Sequence, residues 1–343
     1  MKEPFIDFWN EHSIPSWPKR LLAVPSYNFL FDLYFNHLCA PVYRHKFLHK
    51  LLGKTWYPQS NNSKDFFDNT VFQIMDIPDY LKLEIGVLSD SYQSIKIRQY
   101  PGFMVDLRDY KSLDEFLLQQ LSTRNRKNLR SKQRKLESDA DIRYCFYHGE
   151  IEKSEYDRIF DTFYQLLKKR FVEKEMFNRN LMHWKYYYEL AYPMILNKQA
   201  LLFVIYDKDK PITITLNFLY DQHLFSYIQT YDIDYSQYNM GDISMVKHLQ
   251  WCLENQIQIF DLSKGENDYK LKWSNHRYEH FYHLFYKAGS IHAFLKAQVF
   301  QGKLRLAQYL RDKGILGKLF QYDRFFFKRF QKKVAHHDWK APE

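Results

Sequence analysis

The chain from residue 229 to 245 reads QTYDIDYSQYNMGDISM and combines a glycine, several acids and the start of a helix. A strand ends near Tyr231, a polar loop follows, and Gly241 and Asp242 precede the helix. A helix start carries unpaired backbone N–H groups and the positive end of the helix dipole, and a glycine lets an anion approach closely. The loop therefore indicates a pyrophosphate site. A second interpretation stays open, in which Asp242 caps the helix and Gly241 makes the turn.

The run RNRKNLRSKQRK, residues 124–135, holds seven Lys or Arg and no acid. Leu129, followed by Leu136, gives this helix one narrow apolar stripe. Like charges four residues apart destabilise a helix, so a face with no function usually mixes signs. The run therefore favours phosphate binding, by a nucleotide cofactor, tRNA or lipid headgroups. The alternative is a solvated run of charges.

The segment DLSKGENDYKLKW, residues 261–273, places an acid, a Lys-Gly pair and a Tyr-Lys-x-Lys-Trp cluster directly after a buried strand. Either this is a charged turn that closes a helix–strand unit, or its groups face a reaction site. Asp232 and Asp234, just past the preceding strand, are candidate bases by position, and the alternative is that they are turn residues. Both interpretations remain open from the residues alone.

Metal chemistry is not indicated. On a strand, His276 and His280 share a face while His283 points away, and no acid or cysteine completes a ligand set. No GxSxG, Walker or GxGxxG motif is present. The cysteines are few and widely spaced, which fits a reducing compartment: Cys39, Cys145 and Cys252. We predict no metal and no permanently bound cofactor.

The 343 residues are 45% hydrophobic, with a net charge of +10 and a pI near 9.1. This composition supports one large or two smaller domains and favours anionic partners. No secretory signal or membrane span of about 20 apolar residues is predicted, so we expect a cytoplasmic protein. The C-terminal tail, 316–340, alternates aromatic residues with cations. It either docks on the domain through Phe325, Phe326 and Phe330, or contacts a membrane surface.

The elements that must position these residues follow from periodicity. Residues 112–137 are predicted to form one long helix with a capping box at Ser112 and Glu115. From residue 140 the predicted order is β-α-α-β-β-β-α-β-α-β. Three antiparallel strands followed by a helical crossover predict an α+β fold with a mixed, mostly antiparallel sheet flanked by helices.

Together these features resemble the GNAT-fold acyltransferases, and more closely the BioF2-like (CelD-type) acetyltransferase branch related to the FemABX peptidyltransferases. The resemblance covers about residues 110–290. The branch's central loop is matched by Tyr238, Gly241 and Met245. Its basic opening helix is matched by Arg126, Asn128, Leu129, Arg130, Arg134, Leu136 and Glu137, and its closing motif by Asp261, Lys264, Gly265, Tyr269, Lys270 and Trp273.

The resemblance implies that the strands near residues 231 and 257–262 part to admit an acyl donor. Lys270 would stabilise the oxyanion or a donor phosphate, Tyr269 would protonate the leaving group, and Asp232 is the candidate base. The residues implied in donor binding are Asn239, Gly241, Asp242, Lys264, Gly265, Arg126 and Arg130.

The function implied is an N-acyltransferase that uses an acyl thioester, acyl-CoA or acyl carrier protein, as cosubstrate. Its acceptor would be a small-molecule amine such as an amino sugar, an amino acid or a lipid precursor. One alternative is a FemABX-like aminoacyltransferase that uses aminoacyl-tRNA, and another is an inactive module on an anionic surface. No DNA partner is predicted. The expected domains are a divergent, partly GNAT-like half (1–110), the acyltransferase domain (111–290) and basic aromatic helices (291–343). With contact through the tail, the protein would lie peripherally on the inner membrane face.

Overall fold

The computed structural model of the protein describes residues 24–60, 70–86, 91–316, 324–329 and 337–341. The strands of these ranges are β1 (Ser26–Asn28), β2 (Leu38–Cys39), β3 (Phe47–His49), β4 (Lys54–Trp56), β5 (Gln59–Ser60), β6 (Val71–Pro78), β7 (Leu81–Lys82), β8 (Tyr92–Asp106), β9 (Ile142–Tyr147), β10 (Ala200–Asp207), β11 (Lys210–Tyr220), β12 (His223–Tyr231), β13 (Ile259–Lys264) and β14 (His276–Lys287). The helices are α1 (Phe29–Asn36), α2 (Leu113–Gln120), α3 (Thr123–Asp139), α4 (Lys153–Glu173), α5 (Trp184–Leu196), α6 (Met240–Glu254), α7 (Asp268–Trp273) and α8 (Ile291–Asp312). Two 3₁₀ helices span Arg179–His183 and Ile233–Tyr238.

The chain forms two compact units, divided after Gly102 and after His276. Unit 1 takes the described residues up to Gly102 and those from Arg277 to 316. Its main sheet has the order β1-β6-β14-β8, with β1 parallel and β14 antiparallel to β6. Gly102 is required by close packing, because a Cβ there would lie 2.2 Å from the ring of Tyr278.

Unit 2 takes Phe103–His276 and the described residues of 321–343. Strands β9, β10, β11 and β12 are antiparallel neighbours, and β13 joins β12 in parallel through the crossover helix α6. Every residue of β10 from Ala200 to Tyr206 is buried, which requires cover on both faces of the sheet. This mixed, mostly antiparallel sheet with flanking helices confirms the predicted α+β fold class.

The element order from β9 to β14 agrees with the prediction. The single helix predicted for 112–137 is wrong, because the chain forms α2 and α3 with Leu121 extended between them. Ser122 starts the second helix, since its hydroxyl accepts a hydrogen bond from the Asn125 amide. Only Leu129 and Leu136 of α3 are buried, as the narrow apolar stripe predicts.

The C-terminal residues that the structure describes pack within unit 2. Trp339 is buried against Tyr164 and Tyr188, and the Lys340 ammonium pairs with Asp161 at 2.7 Å. Phe326 contacts Phe177, whereas Phe325 is nearly half exposed. Of the three phenylalanines predicted to dock, Phe330 lies outside the described residues. Among the described residues, no helix has the length and apolar character needed to span a membrane.

Candidate active site

The site is built around the place where β12 and β13 stop pairing. Their parallel register runs from His223↔Ile259 to Phe225↔Asp261. Within residues 91–316, the structure records no further pairing between the rest of β12 and the end of β13. A bulge in β12 directly follows this point, since Leu216 faces Ile228 while Asn217 faces Ser226. A bulge bends and twists its strand, which explains why the two strands diverge, as predicted from the sequence.

The short 3₁₀ helix Ile233–Tyr238 connects the end of β12 to the start of α6. Asn239 adopts the left-handed conformation (φ 57°), and its carbonyl accepts hydrogen bonds from the amides of Asp242 and Ile243. Gly241 has an ordinary φ, and a Cβ there would lie 3.7 Å from the ring of Tyr269. An alanine would therefore fit at position 241, so neither the described contacts nor the backbone conformation requires glycine there.

Asp242 joins α6 to α7. Its carboxylate accepts hydrogen bonds from the Lys272 ammonium at 2.5 Å and the Trp273 indole N–H at 2.9 Å. Trp273 is fully buried, so α7 is anchored to the first turn of α6 at this point. Asp242 thus positions the element that carries Tyr269 and Lys270.

The turn between β13 and α7 directs Lys270 back onto the strand end. Ser263 (φ 68°) and Gly265 (φ 89°) both adopt left-handed backbone conformations, which at Gly265 favours glycine. The Asn267 side chain caps α7 by accepting from the Lys270 amide. As a result, the Lys270 ammonium donates to the carbonyls of Ser263 (3.2 Å) and Lys264 (2.5 Å).

The charge state of Lys270 is sensitive to its surroundings. Burial lowers the pKa of Lys270 to about 8, the Asp261 carboxylate opposes this shift, and the Lys264 charge adds to it. Asp261 is itself fully buried, accepts from the Ser263 amide at 2.7 Å and lies 3.4 Å from His223 Nε2. At the last paired position of β12 and β13, the buried carboxylate of Asp261 thus lies near the half-buried amine of Lys270.

Tyr269 points to the helix start, where its hydroxyl donates to the Gly241 carbonyl at 3.2 Å. Burial, aided by the Asp242 charge, raises the pKa of Tyr269, so the phenol is protonated at neutral pH. Tyr269 and Lys270 are therefore adjacent in sequence but contact different elements of the site. One contacts the start of α6, and the other contacts the end of β13.

Arg170, on α4, was not identified from the sequence. Its guanidinium donates to the Gln229 carbonyl of β12 at 3.3 Å and lies 4.4 Å from the centre of the Tyr231 ring. Burial lowers the pKa of Arg170, while Tyr231 and Tyr269 oppose that shift. A signal was available, because Arg170 falls seven residues after Phe163 on the apolar stripe of α4, where a cation is unexpected.

Asp232 is almost fully buried at the start of the 3₁₀ helix. It accepts from the Lys210 ammonium at 2.7 Å and the Lys169 ammonium at 3.3 Å. Burial alone would raise the pKa of Asp232, but the hydrogen bonds from Lys210 and the Asp234 amide dominate and lower it. A carboxylate held in this way is a weak base, so these contacts favour a positioning role.

The two arginines predicted to bind the donor lie on α3. The Arg126 guanidinium donates to the carbonyls of Leu118 and Leu121, at the end of α2. Arg130 is exposed and lies 3.5 Å from Asp114. Neither contacts Lys270 or Tyr269 through a bond that the structure records. The cations that α3 leaves exposed are Arg124, Lys127, Arg130, Arg134 and Lys135.

Among the described residues, no group of three His, Cys, Asp or Glu side chains is arranged to hold a metal ion. Within unit 1, His280 is fully buried and His283 Nδ1 lies 2.7 Å from the Tyr43 hydroxyl.

Residues 123–271 match the family model described as "Acetyltransferase (GNAT) domain". The chain therefore carries a domain of the GNAT acetyltransferase family, and the family predicted from the sequence is confirmed. This match includes the parted strands, the start of α6 and both Tyr269 and Lys270. A sequence search against curated proteins finds no significant match.

Solved structures similar to this chain include L-PGS from Bacillus licheniformis, with 11% identity, a TM-score of 0.42, and coverage of 70% of this chain and 74% of that one. FemX has 9% identity, a TM-score of 0.42, and coverage of 61% and 71%. A conserved protein of unknown function from Bacteroides thetaiotaomicron VPI-5482 has 10% identity, a TM-score of 0.42, and coverage of 64% and 71%.

Proposed function

We propose that the protein is an N-acyltransferase that moves an acyl group from a thioester, acyl-CoA or an acyl carrier protein, to an amine. The observation that carries this proposal is the parting of β12 and β13 inside the region that matches the GNAT family. A gap between two strands exposes backbone groups that can bind an extended acyl donor. We also assign the domain to the BioF2-like branch, on the sequence motifs alone.

In the proposed reaction the acceptor nitrogen attacks the thioester carbonyl carbon, a C–N bond forms, and the C–S bond breaks. During this attack the carbonyl oxygen becomes an oxyanion. The ammonium of Lys270 stabilises this oxyanion, or else a phosphate of the donor. The protonated phenol of Tyr269 gives its proton to the leaving thiolate. The acceptor nitrogen loses a proton, for which Asp232 is the candidate by position, although its two lysine partners make it a weak base.

The start of α6 supplies the donor's anion site in this proposal. The first amides of a helix and its dipole attract phosphate, and Gly241 leaves room for it. The guanidinium of Arg170, from α4, is hydrogen-bonded to the Gln229 carbonyl of β12. It adds a positive charge on the side of the site where Tyr269 lies. Lys264 and Gly265 form the opposite rim, with Lys270 bonded to the Lys264 carbonyl.

A second donor, aminoacyl-tRNA, is favoured by one observation, the row of exposed cations on α3. The two donors differ in how many phosphates they bring. Affinity for tRNA should fall steeply with salt, because many counterions are released, whereas affinity for CoA should change modestly. Both donors are cytoplasmic, so the proposal locates the reaction in the cytoplasm.

Mass spectrometry tests the proposal directly. Purified protein is offered separate pools of acyl-CoAs, acyl carrier protein and charged tRNA, each with a mixture of amines, and acylated products are sought. The matched variants are Lys270→Met and, as control, Lys208→Met at an exposed turn of unit 2. Transfer that Lys270→Met lowers about 10²-fold or more and that Lys208→Met preserves supports the proposal. Absence of transfer from every pool would favour a binding module without activity.

A further inference from the structure

Helix α8 of unit 1 has two apolar faces, and only one of them is used in the core. Ala293, Ala297 and Phe300 are buried and pack with Val71 and Leu284. A surface helix normally carries polar residues on the side opposite its buried stripe. In α8 that side is apolar, with residues each more than half exposed: Ile291, Leu295, Val299, Leu306 and Tyr309.

These five residues, which we call the outer face of α8, form one continuous strip. At 3.6 residues per turn, the spacings of 4, 4, 7 and 3 residues keep all five within an arc of about 80°. The strip runs along most of the helix, and Ile291 is the most exposed of its residues, at 79%. Exposed apolar residues scattered singly are ordinary, but an aligned strip marks a binding surface.

Cations border the outer face. Lys303 and Arg305 are exposed and, by the same helical spacing, lie on opposite edges of the strip, and Lys313 is exposed beyond its end. The only acid between residues 291 and 313 is Asp312, whose carboxylate pairs with Arg98 at 2.6 Å. Among residues 291–313, the charged side chains beside the strip are therefore mainly cations.

We propose that the outer face of α8 binds the surface of an anionic lipid bilayer. An apolar strip with a rim of Lys and Arg is the pattern of a helix that lies in the membrane interface. The side chains of the strip would enter the boundary between headgroups and acyl chains, while the rim contacts lipid phosphates. A contact between two copies of this face fits less well, because it would bring two cationic rims together. The inference does not depend on the proposed acyl transfer.

Co-sedimentation with vesicles tests this inference on the full chain. We expect binding to phosphatidylcholine vesicles that contain phosphatidylglycerol, weaker binding without the anionic lipid, and weaker binding at high salt. The triple variant Leu295→Ser/Val299→Ser/Leu306→Ser should lower the partition coefficient by at least about tenfold. Lys303→Gln/Arg305→Gln should weaken binding to anionic vesicles only. The matched control is Leu118→Ser, a leucine of α2 that is also more than half exposed.

Three results would overturn the inference. The wild type could fail to bind either vesicle, or the triple variant could bind as well as the wild type. In the second case, loss of binding in Arg124→Gln/Lys127→Gln would assign the effect to α3 instead. In the third, sedimentation velocity would show that the wild type is a dimer and the triple variant a monomer. The outer face of α8 would then bind a second copy of the chain. Circular dichroism checks that each variant is folded.

Discussion

The ammonium of Lys270 is expected to be needed for catalysis, and this can be tested through its pH dependence. Burial lowers the pKa of Lys270 to about 8, so the group is about nine-tenths protonated at pH 7 and about one-tenth protonated at pH 9. Few lysines change charge in this range. If the charge stabilises the oxyanion or a donor phosphate, its contribution disappears as the pH rises through 8.

The size of the effect follows from the geometry. Lys270 is held by the carbonyls of Ser263 and Lys264, so it is a preorganised group. Loss of one such group typically lowers the rate about 10²- to 10³-fold, which corresponds to about 3–4 kcal/mol. We therefore expect Lys270→Met to lower kcat/KM about 10²-fold or more at pH 7, and by a smaller factor at pH 9. Lys270→Arg should retain part of the activity without the decline near pH 8, because arginine stays charged.

The assay follows release of free thiol from the donor that mass spectrometry identifies, between pH 6 and about pH 10. The acceptor amine also titrates, so the quantity to compare is the ratio of wild-type to Lys270→Met activity, in which the titration of the acceptor cancels. A ratio that rises with pH would refute the role of the charge and favour neutral Lys270 as the base. A ratio below about threefold at pH 7, with folded protein, would remove Lys270 from the mechanism.

Four further predictions can be measured independently. Tyr269→Phe should lower kcat about 10²-fold or more while the unfolding temperature stays nearly unchanged. An unaltered kcat would show that Tyr269 is not the proton donor to the leaving thiolate. Gly241→Ala should leave stability intact, because its Cβ makes only ordinary contact, but should raise the KM for the donor; an unchanged KM contradicts the anion site. Gly265→Ala should cost about 1–2 kcal/mol of unfolding free energy, because φ is 89° there. Burial lowers the pKa of His248 from 6.5 to about 4, so the neutral side chain stabilises the folded protein fully above pH 6.5. This stabilisation is lost as the pH falls to 4, at a cost of about 3 kcal/mol in the free energy of unfolding, which acid titration of unfolding measures. His248→Gln should reduce this acid sensitivity, and equal sensitivity of variant and wild type would refute the prediction.

Local patterns were sufficient for much of the fold. The short runs of apolar, β-branched and aromatic residues in β10, β11 and β12, separated by tight turns, and the helical period of α4 and α6 identify these elements, because neighbouring residues alone produce each pattern. The break at Leu121 was missed, because it lies inside a sequence with helical period on both sides. Ser122 carried the signal, as a capping residue before α3, but a serine inside a helix is also common.

For the candidate site, the sequence by itself determined where the chain changes from buried strand to charged turn, and so located Tyr269, Lys270 and the start of α6. Only the tertiary structure decided what each charge does. The partners Lys169 and Asp232 are 63 residues apart, and Arg170 meets Gln229 across 59. Such pairs depend on how α4 packs on β12, and no local period records that packing. For the same reason the sequence could not tell that Arg126 would cap α2, or that α8 would leave an apolar face exposed.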